Sequence, residues 1–123
     1  MALNEQALGK IVHDLQSKLQ EATRMVASVQ AQIQAREREK RLSELTKTEL
    51  GALQPSTSTY KSVGKMFVQE PLPVLTGELS TRVKDMEKEL EALDKKRIYW
   101  ERNKTEAQGN LQELIRQLQQ GQK

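Results

Sequence analysis

The chain has 123 residues, enough for one domain, of which 36% are hydrophobic, with one Trp, one Phe and two Tyr. That is too little apolar volume for a globular core of this length, where about 45–50% is usual, but it suffices for a seam one residue thick between two helices. Charged residues make up 30% with a net charge of +3, and acids alternate with bases, so no basic face for nucleic acid is expected despite a pI near 9.2.

In chain order, a helix is predicted from about residue 4, with Asn4 as its N-cap and Glu5 in the first turn. Leu8, Val12, Leu15, Leu19, Ala22, Val26, Val29 and Ile33 follow one another in strictly alternating steps of four and three. Such a repeat makes a seam narrow enough for one partner helix. It fades after Ile33, where the next seam positions hold Arg36 and Lys40. Thr46-Lys47-Thr48-Glu49 then fits a capping box, in which the Thr oxygen takes one orphan amide and the Glu another. A break is therefore expected near Leu45, with a short helix over about 46–54 that ends ahead of Pro55.

Residues 55–59 read as a spacer of Pro, Ser and Thr. From Tyr60 to Val68 no helical stripe is present, and Tyr60, Val63, Phe67 and Val68 favour a strand. Gly64 predicts a bulge or a close backbone approach. Pro71 and Pro73 bracket a turn before Val74-Leu75, a short return strand whose pairing the prolines leave open; the β-hairpin then covers about 60–75. Thr76 is expected to cap a second long helix over about 77–120, with Glu78 in its first turn and Gly121 just past its end. Its repeat of Leu79, Val83, Met86, Leu90, Leu93, Arg97, Trp100, Lys104, Ala107, Leu111, Leu114 and Leu118 keeps the same alternation. Arg97 and Lys104 on the seam either set register or snorkel outward, and Trp100 between them is a packing anchor.

The two arms match at about 42 residues each, or roughly 63 Å at 1.5 Å per residue. Paired antiparallel, residue i faces about residue 126 minus i, so Leu8 meets Leu118, and Arg36, Arg38 and Lys40 lie near Glu87, Glu89 and Glu91. The fold class is mostly α with a small β element, a long antiparallel two-helix coiled coil joined by a β-hairpin.

No catalytic constellation is visible. His13 is the only histidine and reads as a surface residue, the carboxylates sit on rods without a concave pocket, and Gly64 lacks the neighbours of a phosphate loop. No enzyme, metal or cofactor is expected. The absence of cysteine points to a reducing compartment, and no run approaches the roughly 20 apolar residues of a membrane span or a signal-type apolar region, so a soluble intracellular protein is expected.

Two features remain for function. A two-stranded hairpin alone is marginal in water, so residues 60–68 either pair with strands of other chains or fold back to cap the helices. Near the free helix ends the apolar stripe widens: Ile11 beside Val12 and Ile115 beside Leu114 flank the seam, and with Leu8, Leu111 and Leu118 they exceed what a two-helix contact covers. Gly9 and Gly109 each weaken these ends by about 0.8–1 kcal/mol relative to Ala. Such ends either hold exposed apolar segments weakly, with several arms adding by avidity, or simply fray. The corresponding functions are a holding arm of a larger assembly or, alternatively, a coiled-coil tether without client-holding activity.

Tyr60-Lys61-Ser62-Val63-Gly64-Lys65-Met66-Phe67-Val68, preceded by Glu44-Leu45-Thr46-Lys47-Thr48-Glu49-Leu50 and flanked by two heptad arms, resembles the beta-type subunits of prefoldin, most like their subunit 1 branch, over essentially the whole chain. The resemblance implies a cytoplasmic heterohexamer of two alpha-type and four beta-type subunits, whose hairpins build an intersubunit β-barrel body. Coiled-coil tips would hold non-native actin and tubulin and pass them to the cytosolic chaperonin without nucleotide. It further implies that Tyr60, Val63, Gly64, Met66, Phe67 and Val68 lie in the body strands, and that the helix ends with Leu8, Ile11, Leu111, Leu114, Ile115 and Leu118 are client-holding tips.

Overall fold

The structure is a computed structural model that describes residues 5–121; the expected N-cap Asn4 lies outside them. Its elements are α1 (Glu5–Gly51), β1 (Thr59–Val63), β2 (Met66–Glu70) and α2 (Leu72–Gly121), two long helices with a two-stranded antiparallel hairpin between them. The chain divides into two compact units, one holding the residues up to Gln32 and from Leu93 onward, the other Ile33–Ala92.

In the first unit the core is the expected seam. Ala22, Val26, Val29 and Ala107 are buried, Val29 completely, while Leu8, Val12, Leu15, Leu19, Trp100, Leu111, Leu114 and Leu118 are half-buried. The best-covered positions hold small or β-branched residues, which let two helix backbones approach closely. Arg97 is half-buried and turns its guanidinium outward to Asp94 at 2.6 Å and Glu101 at 2.9 Å, so its stem covers the seam while its charge stays at the rim.

In the second unit the α1 seam is polar between the half-buried Ile33 and Leu50. Arg36 and Lys40 are half-buried, Ser43 is buried, and Met86 on α2 is buried among the same steps. The helices are joined at the rim by Arg36–Glu89 at 3.1 Å and Lys40–Glu87 at 3.5 Å, the register expected from matching arms.

Several local expectations are corrected here. The break at Leu45 and the short helix over 46–54 do not exist, because α1 continues to Gly51. Thr46 and Thr48 donate their hydroxyls to the carbonyls of Leu42 (2.8 Å) and Glu44 (3.0 Å), one turn back in the same helix. Extending an existing helix adds one bond per residue, whereas a new start must nucleate again, so the capping-box residues are absorbed. The helix ends instead with Ala52 and Leu53 donating three residues back to Glu49 and Leu50, and Thr57 to Gln54 closes a turn with Pro55 at its second position.

Val74-Leu75 is not the return strand. The run from Tyr60 to Val68 contains parts of both strands, paired Thr59↔Glu70, Tyr60↔Gln69, Lys61↔Val68, Ser62↔Phe67 and Val63↔Met66. Gly64 makes no bulge, since the register runs unbroken from Thr59↔Glu70 to Val63↔Met66, and no close approach, since nothing lies within 4 Å of a Cβ built on it. It is the first residue of a two-residue turn, at φ +61°, and Lys65 after it keeps negative φ, the pattern of a type II′ hairpin turn.

Finally, α2 starts at Leu72 rather than after a Thr76 cap. The amides of Val74 and Leu75 donate to the Pro71 carbonyl, and Thr76, already inside the helix, donates to the Leu72 carbonyl at 3.0 Å. Pro73 sits in the first turn, where a missing N–H costs nothing. Glu78 is therefore beyond the first turn, and Gly121 lies within the helix instead of past its end.

Candidate functional site

The hairpin, in the unit Ile33–Ala92, carries a cluster of exposed apolar side chains. Cross-strand partners share a face. Lys61, Val63, Met66 and Val68 therefore lie on one side, and Tyr60, Ser62, Phe67 and Gln69 on the other. Tyr60, Val63, Met66, Phe67 and Val68 are all exposed, Phe67 at 75%. Both faces thus present large apolar side chains to water, and in a two-stranded sheet each strand also has one bare edge of backbone donors and acceptors. The base of the hairpin is anchored: Thr59 is buried and donates to the Glu70 carbonyl at 2.6 Å, and Lys61 pairs with Glu78 on α2 at 2.9 Å. Of the residues expected in strands, five are there and Gly64 is in the turn between them.

Leu42 (65% exposed), Leu45, Leu53 and Val74 in the same unit add further exposed apolar side chains, of which Leu42 and Leu53 carry no sequence motif. The signal was present: once α1 is continued through Leu45, Leu42 and Leu45 fall between the seam steps and must face away from α2.

The other unit holds the helix ends. Ile11 and Ile115 are 43% and 44% exposed, whereas Leu8, Leu111, Leu114 and Leu118 are half-buried. The six expected tip residues therefore split into four that fill the seam and two that flank it. Gly9 and Gly109 have open space around them, so neither is required by packing. Between these residues Arg116 donates to Glu113 at 2.7 Å, which holds the Glu113 carboxyl below its ordinary range and the Arg116 guanidinium above its own. Ile98 and Tyr99 on α2 are also exposed and were not singled out from sequence.

Among the described residues no cluster of His, Asp or Glu could hold a metal ion, and no helix is long and apolar enough to cross a membrane. What the surfaces can do is associate: strand edges by backbone pairing, apolar side chains by burial.

Comparison with known proteins gives the same direction. Residues 13–118 match the family model described as prefoldin subunit. Prefoldin subunit 1 of Arabidopsis thaliana is 36% identical over 85% of this chain and 81% of its own length. Prefoldin subunit 1 of Homo sapiens is 31% identical over 88% of each, and the probable prefoldin subunit 1 of Schizosaccharomyces pombe is 30% identical over 85% and 93%. The crystal structure of the prefoldin beta subunit from Thermococcus strain KS-1 has a similar fold, with a TM-score of 0.63, 22% identity, and coverage of 98% of this chain and 95% of that one.

Proposed function

The chain belongs to the prefoldin subunit family, and from that premise we propose that it is one beta-type subunit of a cytoplasmic heterohexamer of two alpha-type and four beta-type subunits, which holds non-native proteins without ATP. The observation that carries this reading is the hairpin: two strands with five large apolar side chains exposed on both faces and two bare edges. Burying a side chain of the size of Phe67 contributes about 1.5–3 kcal/mol, so a chain that leaves five such groups in water gains strongly from strands supplied by its neighbours.

In this proposal the exposed Ile11 and Ile115, backed by Leu8, Leu111, Leu114 and Leu118, take up apolar segments of unfolded chains. Each contact is weak, and several arms together supply the affinity. Actin and tubulin chains are the proposed clients, and the cytosolic chaperonin receives them. Holding and release in this proposal need no covalent step.

The test is co-expression with alpha-type partners, followed by native mass spectrometry and an aggregation assay. The expected result is a defined hexamer containing this chain that slows the aggregation of denatured actin without nucleotide. A chain that stays a monodisperse monomer with a fully ordered hairpin in the presence of those partners overturns the assembly. A hexamer that leaves aggregation unchanged overturns the holding role and favours a tether.

A further inference from the structure

On α2, residues 94–102 carry four cations, Lys95, Lys96, Arg97 and Arg102, against two acids, Asp94 and Glu101. The two acids of this stretch are both engaged by Arg97, whose Nε and Nη2 lie 3.1 and 2.6 Å from Asp94 and whose Nη1 lies 2.9 Å from Glu101. Lys95, Lys96 and Arg102 are exposed and have no ion pair or side-chain hydrogen bond within the described residues. The interleaving of acids and bases is expected to leave no basic face; here the local excess of base is presented by Lys95, Lys96 and Arg102, because Arg97 engages both neighbouring carboxylates.

Lys95, Ile98, Tyr99 and Arg102 are spaced i, i+3, i+4, i+7 and share one face of the helix, spanning about 10 Å at 1.5 Å per residue. Ile98 and Tyr99 are exposed in the middle of that face. The Tyr99 ring meets the Trp100 ring edge-on, with centroids 5.2 Å apart and planes at 79°, which limits its freedom before any ligand arrives.

We propose that this face binds a short acidic peptide segment that carries an apolar side chain. Carboxylates of the segment meet Lys95 and Arg102, and its apolar side chain packs on Ile98 and Tyr99. The cations select an acidic ligand. The aliphatic Ile98 beside Tyr99 favours a ligand with an aliphatic side chain over the planar bases of a nucleic acid, which need aromatic faces to stack on. Glu106, one turn beyond Arg102, ends the cationic stretch and keeps it to two turns, too short for a long polyanion. The surface is separate from the hairpin and from the exposed Ile11 and Ile115, and its occupancy does not require the holding role.

The test uses the whole chain, in the assembly it purifies as, titrated with a fluorescent peptide of repeating Glu-Asp-Leu units and followed by anisotropy at low salt. Saturable binding is expected. It should weaken about tenfold or more both in Lys95→Glu/Arg102→Glu and in Tyr99→Ser, and survive in Tyr99→Phe and in Ile11→Ser/Ile115→Ser. All these positions are solvent-facing, and helical circular dichroism verifies each variant before titration. The proposal is overturned by any of three results: no saturable binding, equal binding of the peptide with Leu replaced by Ser, or equal displacement by a single-stranded oligonucleotide of matching charge.

Discussion

Arg36 Nε lies 3.1 Å from Glu89 Oε2, joining α1 to α2 at a step of the α1 seam that holds a cation instead of an apolar residue. The stem of Arg36 covers the step and its head pairs at the rim, and it also reaches Glu39 at 3.3 Å. Pairs this exposed contribute about 0–1 kcal/mol each, so they choose partners more than they add stability. Arg36→Glu should lower the thermal midpoint slightly, and adding Glu89→Arg should restore most of the loss. A double-mutant cycle followed by circular dichroism is expected to give a coupling of about 0.5 kcal/mol.

Phe67 is the most exposed of the large apolar residues. Phe67→Ser should leave the helix content of the lone chain unchanged, since the ring packs on nothing within it, yet weaken assembly with partner subunits by about 10- to 100-fold, the equivalent of one buried aromatic. Native mass spectrometry across a concentration series reads this directly; unchanged assembly would remove Phe67 from the interface.

Two glycines should respond to alanine in opposite directions. Gly64 needs φ +61°, so Gly64→Ala should cost the hairpin about 1–2 kcal/mol although nothing crowds the new methyl, and Gly64→Asn should cost less. Gly77 lies inside α2 with open space around it, so Gly77→Ala should stabilise the helix by up to about 1 kcal/mol. Thermal melts of the two variants side by side make the comparison.

Ile11 and Ile115 flank the seam instead of filling it. Ile11→Ser/Ile115→Ser should leave the assembly and its melting intact while reducing protection of a denatured client severalfold. Wild-type protection by this variant in an intact complex would rule out these side chains as the holding surface.

The Glu113 carboxyl is held below its ordinary value, chiefly by the hydrogen bond from Arg116. A group whose folded pKa is depressed stabilises at pH values above its unfolded pKa, and that contribution disappears as the pH falls through the folded value. The pairing should therefore be intact at neutral pH and lost only in acid below the ordinary glutamate range. Carboxyl NMR titration of Glu113 is expected to show the lowered pKa, with the shift shrinking at high salt because the pair is solvent-exposed.

The long-range design of this chain was legible in one dimension. The 4-3 steps from Leu8 to Ile33 and from Leu79 to Leu118 depend only on helix periodicity, and the charges at Arg36, Lys40, Glu87 and Glu89 state the register to within a residue. The apolar run around Phe67 was likewise legible as strand, and the wider stripe at Ile11 and Ile115 as surplus surface. What the tertiary structure alone decided were the junctions. At Thr46 the pull of an existing helix outweighed a cap signal, and at Gly64 a two-residue turn closed a hairpin inside what read as one strand. Pro71 and Pro73 opened α2 where they had suggested a turn. Each junction is a competition between local preferences that differ by about 1 kcal/mol, and the hydrogen-bond ladder of the neighbouring element settles it. The pairing of Arg97 with both Asp94 and Glu101 belongs to the same class: residue order shows the charges, while only side-chain geometry shows which of them remain free.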